Sequence, residues 1–270
     1  MFSKFEIDYA NLIMEVLMDG ERRMTRNSET KSLFGKTLVI DMEDTNRFPL
    51  IQGRKSHYKG VLGEFAALVR GPKHIQDFEY WGCNYWKKWA DEDGNITVDY
   101  GNEWLRNGQV DHLKYCLEYN PNDRRMLING WNASNLEQLS LPCCHYSYQF
   151  YVRDGQYLDM LWTQRSADLM IGVPADIILA YTWIVSLANE FNMKPGRVTM
   201  VFGDCHVYAD HLDNAMIYCE RVLHSVVGTM TAPMYTLTCE PGKDFLQFEP
   251  SDILISDYVS LGHLEFNLHA

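Results

Sequence analysis

The chain has 270 residues, 46% hydrophobic and 22% charged, a globular composition long enough for a sizeable core, which excludes a disordered protein. Lys and Arg total 24 against 36 Asp and Glu, a net charge of −12, so nucleic acid is excluded as a general partner and an anionic ligand needs a local cluster of arginines. No stretch approaches 18 uncharged apolar residues, which excludes a membrane partner on this criterion.

In chain order, no internal repeat or low-complexity linker interrupts the sequence, and 1–270 reads as one domain. The segment 5–18 spaces Tyr9, Leu12, Ile13, Val16 and Leu17 at helical intervals, carries acids that rule out a signal peptide, and stops at Gly20. A polar loop is predicted over 21–31, with Arg22, Arg23 and Arg26, and a strand over 32–42. The segment 58–70 is predicted helical, with Leu62, Phe65, Ala66 and Val69 on one side and Gly71-Pro72 ending it. Aromatics and turns crowd 79–104. A short helix over 110–120 precedes an extended 125–128. Two strands, 144–153 and 156–165, are joined by a turn at Asp154-Gly155. The apolar segment 177–191 predicts a central helix, 198–202 a buried strand, 211–223 a helix, and 235–239 and 253–255 short strands. Without regular βαβ alternation, the class is α+β with a large sheet and interspersed helices, not a Rossmann fold or a TIM barrel.

Seven cysteines, an odd number without disulfide or zinc-knuckle spacing, predict a reducing, cytoplasmic compartment (the host cytoplasm for a phage-encoded chain). Cys144, in LPCCH, sits beside a histidine and near arginines. It reads either as a nucleophile of lowered pKa or as a small buried hydrophobe, and alternation points only one of Cys143 and Cys144 at any pocket. Arg124-Arg125 and Arg165-Ser166 offer forks and a hydroxyl suited to phosphate, or else surface ion pairs. Asp168 and Asp176 flank LMIGVPA; Asp176 is either the N-cap of the central helix or a carboxylate for a ligand's amino group. His206 and Tyr208, two apart in GDCHVYADH, share a face. Asp204, His206, Asp210 and His211 are not spaced as a closed metal site, so no metal is expected.

Together RRMLINGWNASNLEQLSLPCCHYSYQFYV, QRSADLMIGVPAD and FGDCHVYADH resemble the thymidylate synthase superfamily, most closely its deoxycytidylate (dCMP/CMP) hydroxymethylase branch. Looser echoes in NYWKKWADEDGNITVDYGNEW, KSLFG, FPLIQGRK and DYVSLGH extend the likeness from about residue 26 to 263. The resemblance implies an α+β fold with a large mixed sheet, flanking helices and a back-to-back homodimer with shared active sites. It implies that the Cys144 thiolate attacks C6 of the pyrimidine. Arg165 and Ser166 of one subunit would hold the phosphate with Arg124 and Arg125 of the other, and Arg26 would add to them. His206 and Tyr208 would bind the sugar, and Gln164 and Asp176 the base. Glu64 would handle protons at C4 through water, and Tyr100 would lie near the C5 proton. Trp86, Trp89, Asp168 and Gly172 would face 5,10-methylenetetrahydrofolate. Addition of a thiolate to C6 makes C5 nucleophilic, so a hard substitution is split into easier steps.

Several departures refine this. Asp176 stands where synthases acting on dUMP have asparagine. An asparagine amide pairs with uracil O4 and N3–H, whereas a carboxyl accepts from the cytosine amino group and, protonated, donates to N3. Cys143 replaces the second proline of LPPCH, the tryptophan pair reads Trp86-Lys87-Lys88-Trp89, the early arginine loop is short, and the chain ends in EFNLHA without the small apolar tail that closes over folate. The expected activity is 5-hydroxymethylation of dCMP with release of tetrahydrofolate. The alternatives are CMP as substrate, a thymidylate synthase or dCMP C5-methylase forming dihydrofolate, and a non-catalytic nucleotide- or RNA-binding regulator.

Overall fold

The computed structural model describes residues 2–224 and 230–269. Helix α1 (Lys4–Asp19) leads into strands β1 (Glu21–Met24) and β2 (Glu29–Asp41). Helices α2 (Tyr58–Leu68), α3 (Ile75–Glu79) and α4 (Gln109–Tyr119) follow, then β3 (Leu127–Asn129), β4 (His145–Arg153) and β5 (Tyr157–Asp168). Helix α5 (Gly172–Glu190), β6 (Lys194–Tyr208), α6 (Leu212–Leu223), β7 (Met234–Leu237) and β8 (Ile253–Ser256) complete the order. The large sheet runs β1-β2-β6-β5-β4-β3 and is antiparallel except for β5 and β6, the pair that α5 connects; β7 and β8 form a separate ribbon. The expected α+β class with a large mixed sheet and flanking helices is therefore observed.

The sheet buries one face under helices: α1 packs on β2 and α6, and α5 on β5, β6 and α2. The other face is open. Val39, Thr199, Leu161, Gln149 and Leu127 are successive partners in one row across five strands, and Val39, Leu161 and Leu127 are exposed.

Four expectations need correction. The segment 21–31 is not a loop: β1 pairs with an extension of β2, putting Arg26 at a hairpin tip. All four β1 side chains are exposed, so no apolar alternation marks the strand. Strand β6 runs through Tyr208, well beyond 198–202, because its polar end pairs with β2 on one side and β5 on the other. Helix α5 starts at Gly172, five residues early, which places Asp176 inside the helix and overturns its reading as an N-cap. Helix α5 also has the length and apolarity of a membrane span, which counting uninterrupted apolar runs missed; 83% of that stretch is buried within the fold. It is the central core helix. The seven cysteines are all unbridged.

Glu6, on the buried side of α1, joins three elements. Its Oε1 accepts the backbone N–H groups of Gln52 (2.7 Å) and Gly53 (2.8 Å) and the Tyr218 hydroxyl (2.9 Å). Burial pushes its carboxyl from 4.5 up to about 7 against those three donors. A raised acid contributes stability that is fully present below 4.5 and lost as pH rises through about 7. The loss amounts to about 3 to 4 kcal/mol at about 1.4 kcal/mol per pKa unit. Thermal melts should therefore show stability falling over that window, and Glu6→Gln should flatten the fall. An unchanged slope in the variant would assign the dependence to other groups.

Candidate active site

A cavity of about 930 Å³ opens where the C-terminal ends of β5 and β6 meet the start of α5, and it is the larger of the two best-formed pockets among the described residues. Cys144, Glu64, Tyr100, Asp176, Gln164, Arg26, Arg165, Ser166, His206, Tyr208, Trp86, Trp89, Asp168 and Gly172 all line it. Arg124 and Arg125 do not: both are exposed on the short connection to β3, where Arg125 pairs with Asp123 at 2.6 Å. The sheet register does much of the assembly, since Ser166 opposes Asp204, Asp168 opposes His206, and Ser32 opposes His206 from the other side.

Only one cysteine of the pair faces the cavity. Cys143 is 1% exposed, and its thiol points to the Gly130 carbonyl at 3.4 Å, whereas Cys144 lines the pocket just before β4. Arg165 fastens this turn from below, its Nε donating to the Cys143 carbonyl (2.9 Å) and an Nη to that of Pro142 (3.0 Å). The expectation of a lowered thiol pKa is corrected. Burial raises Cys144, and the Arg165 charge and the Tyr100 hydroxyl oppose that rise without reversing it. Nor does His145 activate it. The imidazole lies between the Tyr100 and Trp162 rings, at 4.4 and 4.3 Å, and burial lowers its pKa to about 3, so it carries no charge.

Glu64 is held at both oxygens. Trp86 Nε1 donates to Oε1 at 2.7 Å, and the Tyr85 hydroxyl donates to Oε2. Trp86 is thus a partner of Glu64 as well as an aromatic wall. Gly63 lets α2 approach this close, because a Cβ there would sit 2.1 Å from the Trp81 carbonyl oxygen. Burial raises the Glu64 carboxyl to about 7, poised to gain or lose a proton near neutrality. Glu64→Gln should lower kcat by about 10²- to 10³-fold and erase the limb of the pH–rate profile near 7. A wild-type profile in the variant would remove Glu64 from the proton transfers.

Asp176 is 8% exposed, and its Oδ2 accepts from Gln164 Nε2 at 2.8 Å. Burial first, then the negative charges of Glu64 and Asp168, raise its carboxyl well above the usual range. Asp168 turns the chain from β5 into α5 by accepting the N–H groups of Met170 (2.9 Å) and Ile171 (3.3 Å) on one oxygen. His206 Nδ1 meets Asp204 at 3.0 Å, and Tyr208 stands beside the His206 ring, 5.2 Å between centroids. The shared face expected from their two-residue spacing is present, and both side chains line the cavity.

The C-terminus departs most from expectation. Residues 263–269 cross the cavity as a strap and line it. Lys88 Nζ donates to the Leu268 carbonyl (2.6 Å), Asn267 Nδ2 to Asp210 (2.9 Å), His269 Nε2 meets Asp210 at 2.8 Å, and the His269 ring stacks on Tyr208 at 4.0 Å. A closing segment is therefore present although the small apolar tail is missing, as the sequence indicated, and polar groups fasten it. Asp210, His211 and His269 converge, but as its fasteners: His211 Nε2 holds the Asn267 carbonyl at 2.9 Å.

Sequence reasoning passed over Tyr85 and Arg54, gave His145 only a place beside the cysteine, and read the end of the chain only as lacking an apolar tail. Arg54 lines the pocket beneath Phe266 with its Nε unpaired, and the QGRK echo was its only signal. Tyr85 had none, since an aromatic in an aromatic run reads as core.

The family model described as thymidylate synthase matches residues 7–270. Thymidylate synthases of three Coxiella burnetii strains (Dugway 5J108-111, RSA 331 / Henzerling II and RSA 493 / Nine Mile phase I) are each 35% identical over 224 residues. That stretch covers 79% of this chain and 83% of each relative.

Proposed function

Because this chain belongs to the thymidylate synthase family, whose members carry out folate-dependent methylene transfer to C5 of a pyrimidine nucleotide, we propose that its nucleotide is dCMP and its product the 5-hydroxymethyl derivative. The observation that carries this reading is Asp176, a buried carboxyl at the cavity floor where a base-reading amide is expected for uracil. Bound 5,10-methylenetetrahydrofolate supplies the one-carbon unit. The residues present fit it, since Trp89, Ile171 and Leu179 give an apolar wall and the Asp168 carboxylate a polar partner.

The Cys144 sulfur attacks C6, raising electron density at C5. Asp176 pairs with the amino group and N3, and Glu64 moves a proton at the C4 side, its carboxyl held by Tyr85 and Trp86. Tyr100, its hydroxyl accepting the Cys144 backbone N–H, stands by the C5 proton. Arg165, Ser166 and Arg26 bind the phosphate, and His206 and Tyr208 the sugar. We read 1–270 as one cytoplasmic catalytic domain. Its open sheet face pairs with a second copy, so that Arg124 and Arg125, which lie outside their own pocket, complete the partner's. An exposed apolar row on an otherwise one-sided sheet supports that pairing.

Water in place of hydride as the nucleophile that adds to the C5 methylene is supported by the polar strap, because a polar lining holds water where an apolar tail excludes it. The second reading is thymidylate synthesis, favoured by the names of the Coxiella relatives. Incubation with dCMP, CMP or dUMP and methylenetetrahydrofolate, followed by nucleotide mass, separates them. A gain of CH₂O on dCMP without dihydrofolate supports the proposal. A gain of CH₂ with dihydrofolate, on dUMP or dCMP, overturns the hydroxymethyl product.

A further inference from the structure

The polar groups behind Asp176 form two chains that end on its two oxygens. On one side, Trp162 Nε1 lies 3.2 Å from Gln164 Oε1. An indole can only donate, so it fixes which end of the Gln164 amide is oxygen and turns the amide nitrogen onto Asp176 Oδ2 at 2.8 Å. On the other side, the Tyr148 hydroxyl is 3.0 Å from the His145 carbonyl oxygen, which can only accept, whereas its other neighbour, His145 Nδ1, can donate; both contacts are satisfied when the single phenolic proton goes to the carbonyl. The same hydroxyl oxygen is 2.6 Å from His145 Nδ1, and with its proton committed it accepts from Nδ1–H. A neutral imidazole has one N–H, so His145 Nε2 is bare, and it faces Asp176 Oδ1 at 3.7 Å.

We propose that Tyr148 and Trp162 are specificity-positioning residues: they set the hydrogen-bond polarity of His145 and Gln164 so that Asp176 meets a donor on one oxygen and a lone pair on the other, and presents the neutral carboxyl that pairs with a 4-amino pyrimidine. An ionised Asp176 would set Oδ1 lone pairs against the Nε2 lone pair. A carboxyl protonated on Oδ1 puts no charge against Nε2, and its one proton points to Nε2 before a base binds or to ring N3 once one is bound, the carbonyl oxygen then accepting from the amino group. Among the titratable groups around it, Glu64 on α2 and Asp168 at the end of β5 act in the same sense, while Cys144 and Tyr148 at β4 and Tyr100 are acids that burial keeps protonated and that add no positive charge. The His145–Asp176 approach is thus a contact between two neutral groups.

This deepens the dCMP reading and rests on it for the identity of the base, but its first test needs no substrate. Long-range ¹H–¹⁵N spectra of histidine-labelled protein, with His145 assigned by a His145→Gln variant, report the tautomer directly. The expected result is Nδ1–H with bare Nε2 in the wild type, and appearance of Nε2–H in Tyr148→Phe. In kinetics, that Nε2–H favours ionised Asp176. The alkaline limb of kcat/KM for dCMP should then move down by about one pH unit, and the preference for dCMP over dUMP fall about tenfold. Trp162→Phe, which frees the Gln164 amide to rotate, should lower the same preference without moving the tautomer. Finding Nε2–H in the wild type overturns the proposal. So do variants with wild-type melting temperature whose pH limb and dCMP:dUMP ratio are unchanged. If the wild type turns over dUMP and not dCMP, the substrate reading fails, and the tautomer measurement alone then decides the positioning of His145.

Discussion

Cys144→Ser is expected to lower kcat by about 10⁴-fold or more, because the hydroxyl is a far weaker nucleophile toward C6 and no neighbouring base takes its proton. His145, adjacent in sequence, is neutral and turned toward Tyr148, so it does not fill that role. Cys143→Ala is the matched control. Its thiol points away from the cavity, and burial pushes it up to about 12, so its removal should cost packing alone. Intact-protein mass after incubation with nucleotide and folate should show an adduct in wild type and Cys143→Ala and none in Cys144→Ser. An adduct that survives in Cys144→Ser and disappears in Cys143→Ala would reverse the assignment. The raised Cys144 pKa adds a pH signature: adduct formation should grow toward alkaline pH, as burial is opposed only by Arg165 and Tyr100. Arg165→Ala would move that rise to higher pH.

The second large effect is expected at Asp176→Asn, with the ratio of kcat/KM for dCMP over dUMP falling by about 10³- to 10⁴-fold. The size follows from a buried site in which a mispaired polar group has no water to turn to. In the wild type, uracil O4 would meet a carboxyl whose neighbours, Gln164 and His145, are already committed. In the variant, the amide supplies a donor to O4 and an acceptor to N3–H. Unchanged specificity constants for both nucleotides would sink the base-reading role of Asp176. They would leave the residue as a structural partner of Gln164, and a loss of thermal stability would then be the visible effect.

Much of this was readable from the amino-acid order. The helical spacing of Tyr9, Leu12, Ile13, Val16 and Leu17 located α1, and the Asp154-Gly155 turn located the β4–β5 hairpin. The motif residues from Glu64 to Tyr208, except Arg124 and Arg125, converge on one cavity. These features depend on local periodicity and on residue types that the chemistry itself demands. Strand β1 and the polar end of β6 were not readable, because their side chains carry no alternation; they are strands only because β2 and β5 lie beside them. Helix α5 began early for a similar reason. Gly172, Val173 and Pro174 open it under the turn that Asp168 ties, and the sequence alone placed Asp176 at its edge.

The sequence by itself determined the family and the α+β class, and it singled out Cys144 as the proposed nucleophile and Asp176 as the proposed base-reading acid, because each is written in a residue type at a fixed spacing. Only the tertiary structure decided which protons those groups hold. Burial depends on everything packed around a side chain, so the raised pKa values of Glu64, Asp176 and Cys144 and the lowered one of His145 have no counterpart in local order. The strap was equally invisible. Its anchors Lys88 and Asp210 lie 180 and 57 residues before the groups they hold, and contacts at that separation exist only once the fold has closed the distance.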